Sequence, residues 1–387
     1  MSLGRLSLRK AALQRFKMKK IIAAGHICLD ITPVIPATQE RRPLEQLLAP
    51  GKLLHVSHAD IHSGGSVANT GLALKLLGED VTLMGKIGND AFGSILRDQL
   101  ARHGVGGLLT DPDSETSYSV VLAPPGVDRI FLHNPGANDS FSSTDIPDDM
   151  LEGAALFHFG YPPLMKRMYE NDGEELSALF RRIKEKQIAT SLDLAGVDPD
   201  SEAGKADWEI VLSRVLPDTD FFLPSFEELC FMLDRRNYYR LKEPEGAILT
   251  DRLDFETDVE PLAKRALSMG CRVVVIKCGT RGILFHTAGK EAVKQIGSNI
   301  GIDAALWADK AGIQPCFCVE DVRSATGAGD AAIAAFLSAV VRGYSPEECV
   351  QFAAAEGACS VTGYDALSGI LTLPELEKKI RAGWPTR

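Results

Sequence analysis

The sequence predicts an α/β protein: a doubly wound, mostly parallel central sheet with helices on both faces, and a small β layer standing outside it. Three observations carry this. From Leu156 onward, short apolar runs alternate with helical stretches, the βαβ order that builds parallel sheets. Two strand-like runs, 117–123 and 129–134, are joined by Pro124-Pro125-Gly126-Val127-Asp128, which reads as a hairpin rather than a βαβ unit. Asp30, Gly64-Gly65, Glu228, 279–282 and 327–330 all follow strand-like runs, where open α/β sheets bind their ligands.

In chain order, 20–24 is a short apolar run ending at Gly25, a buried first strand that leads to Asp30. An Asp after such a strand suits a ligand, although a loop cap is its ordinary use. Residues 31–61 are polar, Pro-containing and irregular, and join the hairpin in the outer layer. Gly64-Gly65-Ser66-Val67-Ala68-Asn69 then opens a helix with Ser66 as its N-cap, running to Gly78. The glycine pair lets a small polar ligand lie against backbone amides, and Asn69 projects from the first turn toward the same place. A strand over 81–86 and a helix to His103 follow. Further strands are expected at 156–160, 188–193 and 219–223, with a charged connection and helix over 196–218. Ser225 and Glu228 form a capping box, which explains both without any function. Residues 234–256 read as an exposed, irregular insertion. A Val-rich strand over 272–277 runs into Cys278-Gly279-Thr280-Arg281-Gly282, a turn suited to backbone contact with a nucleotide and equally to a plain hairpin.

The stretch around which the chain is organised is Ser324-Ala325-Thr326-Gly327-Ala328-Gly329-Asp330, followed by an Ala-rich helix to about Arg342. First-turn amides without helical partners make an anion site. The helix dipole favours a carboxylate at Asp330. An anion cradle beside a carboxylate suits phosphoryl transfer, with the carboxylate taking the proton of an attacking hydroxyl. The same pattern is also an ordinary helix start with Asp as a cap.

Composition narrows the alternatives. The 387 residues are 45% hydrophobic and 24% charged, with net charge −10, which argues against a broad nucleic-acid surface. No apolar run is long enough to span a bilayer. The eight cysteines sit mostly in apolar runs, and Cys316-x-Cys318 lacks a second pair to complete a zinc site. That indicates a reducing, cytoplasmic setting. Residues 1–19 form a basic leader or an over-extended start ahead of a domain covering 20–387.

Residues 325–330 resemble the C-terminal signature of the ribokinase (PfkB) carbohydrate-kinase family. Residues 64–69, followed by 85–93, look like its N-terminal signature, in the expected order. The resemblance covers roughly Lys20 to the C-terminus. It implies a ribokinase-like domain with a β lid, contributed by 31–61 and 117–134, over a small-molecule substrate. It implies ATP as donor, Mg2+, Asp330 as catalytic base, and Gly327, Ala328 and Gly329 as the anion hole. Asp30, Gly64, Gly65 and Asn69 fall on substrate-binding positions, and Gly279, Thr280 and Gly282 on the nucleotide turn. Glu228 would organise Mg2+, through water. Arg129, Phe131 and His133 could reach the substrate from the lid. Three positions depart from the pattern. Ser324 stands where the signature opens with Asp, which bears on the monovalent-cation site many members build. Ser225 replaces an Asn, and Ala354 replaces another near the adenine. The expected activity is an ATP-dependent sugar kinase, with a nucleoside kinase as the alternative, Phe131 or Phe141 walling the base. A non-catalytic ligand-binding protein is the reading of a different class. A homodimer through the lid is also implied, with no nucleic-acid or membrane partner.

Overall fold

Four residues of one strand show how the molecule is layered. Val273 and Val275 face one apolar core, and Val274 and Ile276 face another, because successive side chains of a strand point to opposite faces. Ile21 and Ile22, Ala23 and Ala24, and Phe221 and Phe222 divide in the same way. Each such Val, Ile or Phe side chain, fully buried, contributes about 1.5–3 kcal/mol relative to exposure.

The computed structural model describes residues 18–36, 48–124, 130–243 and 248–387. Residues 1–17 of the leader, Arg129, and parts of the lid (37–47, 125–129) and of the expected insertion (244–247) lie outside the described residues. The strands are β1 (Lys20–Gly25), β2 (Cys28–Pro33), β3 (Ala59–Gly64), β4 (Asp80–Met84), β5 (Lys86–Gly88), β6 (Leu109–Asp111), β7 (Tyr118–Leu122), β8 (Ile130–Asn134), β9 (Ala154–Gly160), β10 (Ala189–Leu192), β11 (Phe221–Phe222), β12 (Val273–Lys277), β13 (Ile283–Thr287) and β14 (Ala311–Gln314). Eight of them form one sheet in the order β14-β13-β12-β11-β10-β9-β1-β4. Every junction from β4 to β12 is parallel, and β13 and β14 are added antiparallel. A four-stranded sheet, β3-β2-β7-β8, is the lid, and β5 and β6 pair separately.

The main helices are α1 (Gly65–Leu76), α2 (Ala91–Arg102), α3 (Glu174–Glu185), α4 (Trp208–Val215), α5 (Phe226–Leu233), α6 (Arg235–Lys242), α7 (Glu260–Ser268), α8 (Ala328–Val341), α9 (Pro346–Ser360) and α10 (Leu373–Arg381). The core on one face is closed by α1, α2, α8, α9 and α10, and the core on the other by α3 to α7. Helix α8 is buried all round from Asp330 to Val341 and packs against both α1 and α9. Its alanines allow that close approach. No helix of the described residues is long and apolar enough to cross a membrane.

The architecture agrees with the sequence reading, and the local differences have physical reasons. Asp30 lies within lid strand β2, not in a loop after β1. Helix α1 starts at Gly65 with Gly64 in the cap position, so Ser66 is inside the helix and its hydroxyl caps nothing. Gly85 breaks the expected 81–86 strand, and Lys86 pairs instead in the small sheet with Leu109. The 234–256 segment is partly helical: Asp234 caps α6 by accepting from Asn237 N, and Tyr238 and Leu241 are buried. Edge strand β14 was not foreseen, because its Ala-Gly-Ile-Gln lacks the apolar alternation that marks a strand.

Candidate active site

The site forms where the parallel strands end. Residues 25–26 at the end of β1, 160–161 at the end of β9, Asp193 after β10, Ser225 after β11 and Lys277 at the end of β12 all lie at the C-terminal end of the parallel strands, and the N-terminus of α8 comes to them.

Gly327 caps α8 in the left-handed region, φ 75°. A Cβ there would lie 2.3 Å from the Ala366 Cβ, so both backbone and space require glycine. Ala328, Gly329 and Asp330 fill the first turn. The Ala328 amide makes a long turn bond to the Ala325 carbonyl, 3.4 Å, while those of Gly329 and Asp330 lie where an α-helix has no carbonyl to offer. Asp330 is only 4% exposed. Three side chains donate to it: Thr70 Oγ1 to Oδ1 at 3.0 Å, and Asn69 Nδ2 and the Tyr161 hydroxyl to Oδ2 at 3.1 and 2.7 Å. The site where a Gly329 Cβ would stand is 3.8 Å from the Lys277 ammonium. That ammonium reaches Asp193 Oδ1 at 2.8 Å. Burial opposes charge on Lys277, yet Asp193, Glu228 and Asp330 hold its ammonium above the usual lysine range. Burial, with Glu228 and Asp330 adding to it, pushes the Asp193 carboxyl up to about 8 against the pull of Lys277, so the two form one buried pair in which the ammonium is the better-held charge.

The lid supplies the other wall. In the register, Asp30 pairs with His62 and Ser119, and Ser119 with His133, so these four share one face of the sheet. Burial raises the Asp30 carboxyl, against bonds from Cys28 and Ser119 that lower it. A Cβ on Gly64 would lie 2.2 Å from Asp30 Oδ2, and one on Gly65 2.7 Å from His26 Nδ1. Gly64 thus makes room for a side chain, whereas Gly65, at φ 82°, also meets the His26 backbone oxygen, 2.6 Å from where its Cβ would stand. His26 is 2% exposed, and neither ring nitrogen has a hydrogen-bond partner among the described residues. Burial, then His133, pushes its pKa down to about 3. Asn138 locks this corner by bonding Ile27 N and O at 3.1 and 2.9 Å.

A cleft of about 910 Å3 runs beneath the lid, lined by Asp30, His62, Asn69, Phe131, residues 322–326 and residues 364–368. Phe131 is 59% exposed on the cleft side, but Phe141 is fully buried against Phe159 and cannot wall a ligand. Ser324 bonds Thr326 through its hydroxyl. Glu228 keeps its capping box, accepting from Ser225 N at 2.7 Å, while close enough to act on the charge of Lys277 and Asp193. Gly279 and Gly282 have φ of 54° and 106°. Their turn packs on Thr250 and on Gln314–Cys316, and does not line the cleft. Ala354 is buried in α9. Thr70, Tyr161, Asp193 and Lys277 went unnoticed in the sequence. Only the Asp at the end of an apolar run, 188–193, carried a usable signal.

Residues 18–372 match the description "pfkB family carbohydrate kinase". Fructokinase-1 of Oryza sativa subsp. japonica is 24% identical over 373 residues, covering 92% of this chain and 96% of that protein. The 5-dehydro-2-deoxygluconokinase of Clostridium perfringens is 24% identical over 366 residues, covering 93% and 92%. A putative ribokinase II of E. coli, solved in complex with ATP and Mg2+, superposes with a TM-score of 0.65 at 20% identity, covering 94% of this chain and all of that one.

Proposed function

The chain belongs to the pfkB family of carbohydrate kinases, and on that footing we propose that it transfers the γ-phosphoryl group of ATP to a hydroxyl of a sugar, with Asp330 as the base. The observation that carries this is the convergence on Asp330: a carboxylate in the first turn of α8, held by Asn69, Thr70 and Tyr161, beside a Gly-Ala-Gly cradle. The acceptor lies beneath the lid, where Asp30 accepts from its hydroxyls and the glycines at 64 and 65 keep the floor low. Asp330 takes the proton of the attacking hydroxyl. The amides at the start of α8, with the Lys277 ammonium near Gly329, offset the charge that develops on the transferred group. Gly279, Thr280 and Gly282 offer backbone to the nucleotide.

The charges present fit a divalent cation. Asp193, Glu228 and Asp330 outnumber Lys277, and no three His, Cys, Asp or Glu side chains among the described residues converge tightly enough to hold a metal alone. A Mg2+ ion would therefore be shared between phosphates, water and Glu228, and would neutralise phosphate charge. The lid face opposite Asp30 carries Ile31, Ile61, Val120 and Leu132 side by side; Ile31 packs on the core, while Leu132 and Ile61, which also borders the cleft, are exposed. A second copy would pair there, which light scattering would detect.

The test is ADP release with Mg-ATP over a panel of ketoses, aldoses, sugar acids and nucleosides. Turnover of at least one sugar is expected. Turnover of nucleosides alone would replace the acceptor, and no turnover of any compound would remove the kinase reading.

A further inference from the structure

Tyr161 lies outside both glycine-rich signatures, yet its backbone and its hydroxyl are the least ordinary features of the catalytic centre. It follows Gly160 at the end of β9 and precedes Pro162, with φ 64° and ψ 42°. A side chain with a Cβ disfavours that left-handed region, and a following proline disfavours helical backbone further. Such strain persists where the surroundings over-determine it, and it clusters at working sites. Here the strained backbone delivers the phenol hydroxyl to Asp330 Oδ2 at 2.7 Å.

The lone pairs of Asp330 give that bond its meaning. An ionised carboxylate has about four acceptor directions. Asn69 and Tyr161 occupy two on Oδ2, and Thr70 occupies one on Oδ1. One direction on Oδ1 remains. Asn69 and Thr70 are neighbours on α1, so they hold the carboxylate from one element, whereas Tyr161 holds it from β9. We propose that Tyr161 is the positioning residue of Asp330: it fixes the carboxylate plane so that the free lone pair on Oδ1 faces the acceptor hydroxyl. This rests on the reading of Asp330 as the base. The phenol holds the carboxylate and does not relay its proton. Burial, then the charges of Asp330 and Asp193, keep it protonated far above its ordinary range. Its ring centroid lies 6.2 Å from that of His26, which lies 5.2 Å from His133 on β8, so the clamp is backed by the lid.

The test is Tyr161→Phe, which keeps the ring and removes only the donor. kcat should fall about 10–100-fold, the worth of one hydrogen bond to a charged group. KM for sugar and for ATP should stay within about twofold, since the interaction is not with bound substrate. The acid limb of the kcat profile should move to higher pH, because a donor that favours the carboxylate is gone; Lys277, Asp193 and Glu228, the other charges facing Asp330, are unchanged. A purely structural tyrosine would move the melting temperature and not this limb. The double variant with Asp330→Asn should be no slower than Asp330→Asn alone. Wild-type kcat and pH profile in Tyr161→Phe would overturn the proposal. Full activity of Asp330→Asn would instead overturn the assignment of the base, whatever Tyr161→Phe does.

Discussion

The two glycines Gly327 and Gly64 stand at opposite walls of the site and are there for different reasons. Gly327 has φ 75°, so its backbone alone excludes most side chains, and Ala366 leaves no room besides. Gly64 has φ −127°, an extended conformation any residue adopts; it is glycine because Asp30 Oδ2 occupies the space a Cβ would take. The contrast extends to the walls themselves. The cradle at α8 is made of backbone, and its requirements are local in sequence. The acceptor wall is made of side chains brought together by strand register and by contacts across more than a hundred residues. A backbone-built wall should fail abruptly when its conformation is disturbed. A wall built of side chains should fail by degrees.

The largest effect belongs where the two walls meet. Asp330→Asn keeps the shape and the bonds from Asn69 or Thr70 within reach but cannot accept a proton, so kcat should fall about 10²–10⁴-fold with ATP binding retained. Single-turnover measurement with a nucleotide-binding assay separates the two. On the cradle side, Gly327→Val meets both the φ and the Ala366 obstacle. Misplaced first-turn amides should lower kcat by about 10²–10³, as does loss of one oxyanion donor. A mild, KM-only effect there would break the distinction between the walls.

The same distinction decides how much could be read from the sequence. The cradle was legible because Gly327-Ala328-Gly329-Asp330 states its conformation in consecutive residues, and the parallel sheet because apolar runs alternate with helical stretches from Leu156 onward. The acceptor wall was legible only as residue types. Asp30 was noticed, but it was placed after β1, because nothing in the 28–33 sequence says that it pairs with β3 and β7. Phe141, which with Phe131 is a candidate wall for a base under the nucleoside alternative, is core, since an isolated Phe carries no sign of which side it faces. Tyr161 and the Lys277–Asp193 pair depend on contacts between distant strands, and one chain's pattern does not encode such partners.

On the acceptor side, effects should be smaller and appear in KM. Asp30→Asn should raise KM for the sugar about 10–100-fold, the range for bonds to a charged group, with kcat changed much less. Gly64→Ala should imitate it, because the new Cβ would lie 2.2 Å from Asp30 Oδ2 and displace the carboxylate. Matching KM changes in the two variants, measured with the sugar the panel identifies, would show that Gly64 acts only through Asp30. A collapse of kcat in Gly64→Ala would instead assign that glycine a backbone role like that of Gly327.

The smallest effect separates the walls by their response to acid. His26 has its pKa lowered to about 3 in the fold, so it stays neutral there, while in the unfolded chain it takes up a proton near its ordinary value. A depressed folded value contributes stability above pH 6.5 that is lost as pH falls toward 3. Between pH 7.5 and 5.5 the loss is about 1.4 kcal/mol for one such group, the worth of one unit of pH below 6.5. For a chain of this size that lowers the melting temperature by a few degrees at most. His158 is pushed to about 3 as well, by burial and then Lys277, and adds a similar loss from beneath the site. His26→Gln should therefore remove only part of the acid sensitivity. The glutamine leaves an uncharged amide in the same buried place, so the comparison is made on the pH dependence of the melting temperature and not on its value at neutral pH. Undiminished acid sensitivity in His26→Gln would place its source at His158 and the Lys277 side, and the acceptor wall would lose its claim to be the pH-sensitive half.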